Sequence, residues 1–248
     1  MLNVRVQAEH EQPAQPDVAD QNSQKANARR HVTAMVNRFS ISQCAPLVVA
    51  WGLLTGMGML GLMLYEGKAN TAATAPERWP DEVRLSRNET SPTLLLFVHP
   101  HCPCSRATLG ELERIVARPG GGMSASVVFW HPKGVATDWH QGTLWSYAQT
   151  LPGVQLIDDI GSVISRRFGV STSGQVLVYD SSGQLKYSGG ITKARGHSGD
   201  SAGSDDVQSI GKLSIDKSSS ETPMKCGAVF GCPLSESTVI ALSQERAE

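Results

Sequence analysis

The run Thr93 to Val98, "TLLLFV", is apolar without interruption, as a strand buried on both faces requires. Directly after it, "SRATLGELERIVA" places Leu109, Leu112, Ile115 and Val116 on one face of a helix. "SASVVFWHP" predicts a second strand, "GTLWSYAQTL" a second helix, "VQLID" a third strand, and "IGSVISRRFG" a third helix that stops at Gly169. Strands and helices that alternate with short links imply parallel pairing. The pattern then changes. "QVLVYD" and "QLKYSGGI" are strands joined by "SSG", a hairpin signal, and "SDDVQSIGKLSI" closes the series as a helix with acidic residues in its first turn. The expectation is an α/β fold with a central mixed sheet flanked by helices, its last pair antiparallel.

One segment has no polar phase at all. Ala45 to Tyr65, "APLVVAWGLLTGMGMLGLMLY", carries no charge. As a helix it is roughly 30 Å long, the thickness of a hydrocarbon core. It reads as a transmembrane helix. The alternative is a cleaved signal peptide, for which "TAATA" ending at Ala75 offers small residues. A signal core is shorter, about 7 to 15 residues, and lacks a long polar tail in front of it. Arg29, Arg30 and Arg38 precede the span, whereas Glu66, Lys68, Glu77 and Arg78 follow it with no basic excess. The positive-inside rule then makes the amino terminus cytoplasmic and the larger carboxy-terminal part periplasmic or otherwise extracytoplasmic, on a single-pass inner-membrane protein. Residues 1–44 are polar, carry Pro and Gln, and are expected to be a disordered cytoplasmic tail. Residues 66–92, with Pro76, Pro80 and Pro92, read as a linker, 93–216 as the α/β domain, and 217–248 as a tail carrying a cysteine pair.

Composition narrows the partners. With 22 basic and 23 acidic residues interspersed, a net charge of -1 and a pI near 6.7, the chain has no electrostatic footprint for nucleic acid.

The chemistry concentrates where the first strand ends, in "HPHCPC" from His99 to Cys104. A cysteine at a helix start sees unsatisfied N–H groups and the positive end of the macrodipole, which favour the thiolate, the nucleophilic form. Cys102 stands at that point, and Pro103 suits the first helical position because its missing N–H costs nothing there. His101, when protonated, adds to the same stabilisation. Cys104 is near enough to act as a resolving thiol, although a Cys-x-Cys ring is small and its disulfide readily reduced. The plainer alternative is that both thiols merely pack, but unpaired thiols in an oxidising compartment are a hazard, which favours a working role. Cys44, at the cytoplasmic edge of the span, reads as a small apolar residue. Cys226 and Cys232 in "CGAVFGC" either close a structural disulfide or form a relay dithiol that exchanges with Cys102.

The phrases "FVHPHCPCSRA", "DDIGSVISRRFGV" and "VLVYDSSGQLKYSGGI" occur in an order that resembles the thioredoxin fold, with the extra central helix and strand of membrane-anchored TlpA- and ResA-type proteins and of peroxiredoxins. More narrowly, "HPHCPCSRA", "GGITKARGHSGD" and "FGCPL" are similar to a bacterial group labelled RedB. The resemblance implies thiol–disulfide exchange with protein thiol or disulfide partners and no cofactor, with Cys102 at the nucleophile position. Two departures stand out. The partner position of the family's Cys-x-x-Cys holds Ser105, and the family's cis-proline aligns with Gly174.

A rival reading is metal binding. His99, His101, Cys102 and Cys104, with His197 from the loop that approaches the active cysteine in such folds, are soft and borderline ligands suited to copper as Cu(I) or to zinc. A third reading is a redox-inactive module that binds partners. The expected function is therefore a membrane-anchored extracytoplasmic thiol–disulfide oxidoreductase, with Cys102 as nucleophile and Cys104 as the first candidate resolving thiol.

Overall fold

The structure is a computed structural model and describes residues 22–27, 30, 41–70, 74–83, 85–118, 122–215 and 223–234. Two compact units are recognised, 1–61 and 62–248. In the first, α1 (Ile41–Glu66) begins; it is long and apolar enough to cross a membrane, and its large side chains are exposed all round. Residues 22–27 form a short helix exposed on every side, which corrects the expectation of a tail wholly without structure. Most of the remaining tail lies outside the described residues.

The second unit is built on a six-stranded sheet in the order β3-β2-β1-β4-β5-β6. Its members are β1 (Thr93–Val98), β2 (Ser124–His131), β3 (Val154–Ile160), β4 (Gln175–Tyr179), β5 (Leu185–Gly190) and β6 (Lys225–Cys226). β1, β2 and β3 pair parallel, and β4 runs antiparallel to both β1 and β5. This is a thioredoxin-like order, β2-β1-β4-β5, with a strand added at each edge. The continuous apolar run of β1 is explained by two cores. Leu94, Leu96 and Val98 face one, and Leu95 and Phe97 face the other.

On the first face lie α2 (Cys104–Val116), α3 (Thr143–Gln149) and α5 (Ala202–Ile215). Leu109, Leu112 and Ile115 of α2, Leu144 and Ala148 of α3, and Val207 and Ile210 of α5 close over Val127, Phe129, Val176 and Val178. The second face is covered by Phe168, which follows α4 (Val163–Arg167), and by the chain ahead of β1. The Asp159 carboxylate accepts the backbone N–H groups of Ile164 and Ser165, which fixes the start of α4.

Two domain expectations need correction. Residues 66–92 are not simply a tether. Ala75, Trp79, Val83 and Leu85 pack into the second core, where Trp79 meets Phe168 and Tyr179 edge-on, and the Tyr179 hydroxyl donates to the Pro76 carbonyl at 2.9 Å. The physical reason is coverage, since short α4 leaves apolar sheet exposed. Nor are residues 223–234 of the expected tail detached, the rest of it lying outside the described residues. β6 adds to β5, and Val229 and Phe230 are buried beyond it.

Candidate functional site

The site forms where β1 hands over to α2. The Cys102 N–H bonds back to the His99 carbonyl at 3.0 Å, and the Ser105 N–H to the Cys102 carbonyl at 3.1 Å, so the turn leads into α2 with Pro103 already in helical backbone geometry. Cys102 is 2% exposed, whereas Cys104 is half-buried. An open groove of about 360 Å³ borders Cys102 and is lined also by Pro100, His101, Pro103, Arg106 and Leu144.

The nearest sulfur belongs to Cys232. Its Sγ lies 2.8 Å from that of Cys102, across 130 residues of chain. The segment before it crosses the sheet end as a strap. The Gly190 N–H donates to the Ala228 carbonyl, the Ser173 N–H to the Cys232 carbonyl at 2.8 Å, and the Leu234 N–H to the Ser171 carbonyl at 2.8 Å. Gly231 is where the strap presses closest, because a Cβ there would fall 1.8 Å from the Ser173 carbonyl oxygen. Gly174 has φ +86° and donates its N–H to the Phe97 carbonyl at 2.7 Å. A Cβ on Gly174 would meet the Phe230 carbonyl of the strap at 3.3 Å. The strap thus occupies the space that a proline ring would contest.

Electrostatics separate the three thiols. Cys102 is lowered to about 5, chiefly by the Cys232 side chain hydrogen-bonded to it, against the opposing pull of burial; the Cys232 N–H, the Ser105 hydroxyl and the Cys104 N–H add to the stabilisation. The Ser173 hydroxyl supports this arrangement. It accepts the His99 N–H at 2.9 Å and lies 2.8 Å from Ser105 Oγ, leaving the Ser105 proton free for sulfur. Cys232 is pushed up strongly by its bond to Cys102 and then by burial, with Arg195 opposing. Cys104 is also pushed up, first by burial and then by the charge on Cys102, with Arg195 again opposing. The two sulfurs are within hydrogen-bond reach of each other, and the extra donors at Cys102 favour the thiolate there.

The histidines have other occupations. His99 is buried, stacks on Trp130 with ring centroids 5.0 Å apart, and accepts the His101 N–H on Nδ1 at 3.1 Å. Burial, and then the neighbouring His101, lower it to about 4. His101 is exposed and donates from Nε2 to the Trp139 carbonyl at 3.1 Å. His197 is exposed and donates from Nδ1 to the Arg195 carbonyl at 2.8 Å. The metal set of His99, His101, Cys102, Cys104 and His197 is therefore dispersed over backbone partners, apart from its two cysteines. Cys226 sits exposed on β6 opposite Ser188, while Cys232 sits at Cys102. Sequence reasoning missed three contributors: Ser105, Ser173 and Arg195. Arg195 donates to the Gly231 carbonyl at 2.7 Å and to Asn70 Oδ1 at 2.8 Å, holding the strap. The only available signal was Ser105 standing in a cysteine's place.

No protein-family model matches the chain, and no curated protein matches it. Among solved structures it is similar to a hypothetical protein from Sinorhizobium meliloti 1021, at 14% identity and a TM-score of 0.49 over 68% of this chain and 97% of that one. It is similar also to a secreted Mycobacterium tuberculosis disulfide oxidoreductase homologous to E. coli DsbE, at 16% identity and a TM-score of 0.34 over 48% and 79% of the two chains. A third is Arabidopsis thaliana ScoI with copper bound, at 13% identity and a TM-score of 0.36 over 52% and 85%. At these levels the likeness decides nothing about chemistry, which has to come from this chain's own side chains.

Proposed function

We propose that the protein is a thiol–disulfide oxidoreductase, tethered to the membrane by α1 with its carboxy-terminal unit outside the cytoplasm, in which Cys102 is the nucleophile and Cys232 the resolving thiol. The 2.8 Å separation of the two sulfurs carries this reading, since a disulfide needs about 2.05 Å and so only a small further approach. The reduced pair is poised for exchange. The Cys102 thiolate attacks one sulfur of a partner disulfide approaching along the Arg106-lined groove, and the partner's other sulfur leaves as a thiolate. Cys232 gives its proton to that leaving thiolate and attacks Cys102 Sγ. The partner's second sulfur leaves as a thiolate that takes its proton from water, and a Cys102–Cys232 disulfide remains, so two electrons have moved from this protein to its partner. Run backwards, the same steps oxidise a partner dithiol. Cys104 replaces neither sulfur in this scheme, although its thiol lies close enough to feel the charge of Cys102.

The metal-carrier reading draws on two of these sulfurs, Cys102 and Cys104, with His99, His101 and His197. Arg195 weighs against it, because a guanidinium that favours thiolate on Cys104 and Cys232 opposes a cation at that point. The topology rests on the uncharged span and on the arginines that precede it. The test is non-reducing peptide mapping of the oxidised full-length protein. A Cys102–Cys232 linkage is expected, retained in Cys104→Ser, with Cys232→Ser accumulating mixed disulfides on Cys102. A Cys226–Cys232 linkage, with Cys102 remaining free, would overturn the scheme.

A further inference from the structure

On the first face of the sheet, near the mouth of the site but apart from the sulfurs, lies a second cluster of polar side chains. His131 ends β2, Asp158 lies on β3 with its side chain on the same face, and His140 comes from the turn that leads into α3. His131 and His140 are buried, 3% and 4% exposed, and their rings lie 5.2 Å apart. His131 Nδ1 is 2.8 Å from Asp158 Oδ1 and 3.0 Å from Oδ2. His140 Nδ1 points at the same carboxylate from 3.6 Å, beyond hydrogen-bond range, and is a buried nitrogen without a hydrogen-bond partner.

An unsatisfied buried nitrogen is expensive and rare. Here it faces a carboxylate that His131 Nδ1 already hydrogen-bonds, so nitrogens of two buried imidazoles gather at one carboxylate, and a cation that displaced the shared proton would satisfy all three. The three ligand atoms lie within 4.8 Å of one another. In a tetrahedral zinc site with bonds of about 2.0–2.1 Å, ligand atoms sit about 3.3 Å apart. The observed separations of 2.8 and 3.6 Å to Asp158 Oδ1 bracket that value. The surroundings suit such a site. The His131 ring stacks on Trp139 at 6.2 Å and the His140 ring meets Trp145 edge-on at 4.5 Å, giving an apolar wall, while the Asp158 side chain is 25% exposed and leaves one side open.

We propose that His131, His140 and Asp158 form a site for a borderline divalent cation, Zn2+ by its two-imidazole, one-carboxylate donor set, with water at the open position. The cation ties β2 and β3 to the turn bearing Trp139. That residue's carbonyl receives His101, and its ring also packs against His99. Occupancy therefore stiffens one wall of the groove beside Cys102. The proposal does not depend on thiol exchange, and uses no residue of the sulfur site.

The test uses full-length protein in detergent, stripped with chelator, with its thiols blocked by iodoacetamide, then equilibrated with Zn2+ and desalted. Elemental analysis is expected to find one equivalent of zinc. Co2+ in place of Zn2+ should give visible d–d absorption without the near-ultraviolet band of a thiolate ligand. His140→Ala and Asp158→Asn should each weaken binding by at least about a hundredfold, the upper range for losing even an outer-shell partner. The triple variant Cys102→Ser/Cys104→Ser/Cys232→Ser should bind like wild type. Asp158→Asn keeps shape and a hydrogen bond to His131, so it answers the question even where His140→Ala fails to fold. A Zn2+-dependent rise in Tm for wild type and its absence in Asp158→Asn give a second readout. Failure of thiol-blocked wild type to hold zinc, undiminished binding in Asp158→Asn, or a thiolate band with Co2+ would each overturn the site.

Discussion

Replacing Cys232 by alanine isolates the contact on which the thiol chemistry depends. In the reduced protein the Cys232 side chain is the largest contributor to a Cys102 thiol lowered to about 5, and it acts as a donor to a charged sulfur. Hydrogen bonds to charged groups contribute about 1.5–3 kcal/mol. At 1.36 kcal/mol per pH unit, their loss raises the Cys102 midpoint by about 1 to 2 units, with the backbone N–H of residue 232, the Ser105 hydroxyl and the Cys104 N–H retaining part of the stabilisation. The assay is the rate of iodoacetamide alkylation against pH, read peptide by peptide by mass spectrometry on reduced protein. Wild type should show a Cys102 midpoint near 5 and Cys232→Ala one near 6 to 7. Because Cys232 also covers Cys102, the variant should alkylate faster on its high-pH plateau and more slowly below its raised midpoint. The same linkage governs stability. A thiol whose folded value lies below its unfolded value of about 8.5 contributes fully above that pH, and its contribution is lost as pH falls toward 5. An unchanged midpoint in the variant, or a wild-type midpoint in the ordinary thiol range, would refute the reasoning.

Gly231→Ala should release the strap, since its new Cβ meets the Ser173 carbonyl oxygen at 1.8 Å, at a cost of about 1–3 kcal/mol or more, and oxidation should then yield far less Cys102–Cys232 linkage by peptide mapping while the fold persists by circular dichroism. Arg195→Gln should loosen the same strap by removing the charged hold on the Gly231 carbonyl, seen as faster amide hydrogen exchange over residues 227–234. The His99 ring, desolvated beside His101, should titrate by NMR near pH 4, and the protein should lose stability progressively as pH falls from about 6.5, its ordinary value, toward 4. A carboxy-terminal alkaline-phosphatase fusion should be active in a bacterial host with the product in the membrane fraction; a soluble product starting near Pro76 would make the apolar span a cleaved signal.

Much of the fold is local in origin, and so is legible in order of sequence. The unbroken apolar run of β1 calls for a strand with both faces covered, and Leu95 with Phe97 and Leu94 with Leu96 do divide between two cores. The spacing of Leu109, Leu112 and Ile115 sets the buried side of α2, and the turn "SSG" sets the antiparallel β4–β5 pair. Cys102 at a strand-to-helix junction is likewise a local fact, because helix-end electrostatics act within one turn. What the sequence leaves open is whatever depends on segments distant along the chain. The choice of Cys232 over Cys104 as neighbour of Cys102 is made by a strap whose backbone bonds to Ser171 and Ser173 and whose closest approach requires Gly231 to lack a side chain. Trp79 and Leu85 read as part of a proline-bearing linker until short α4 leaves them a sheet face to cover. His131, His140 and Asp158 lie in three separate stretches with no shared motif, and only the register of β2 on β3 with the turn before α3 sets their ring nitrogens against one carboxylate. Periodicity records which side of an element is buried; it carries no information on which distant element buries it, and that was decided by packing and chain closure in the folded protein.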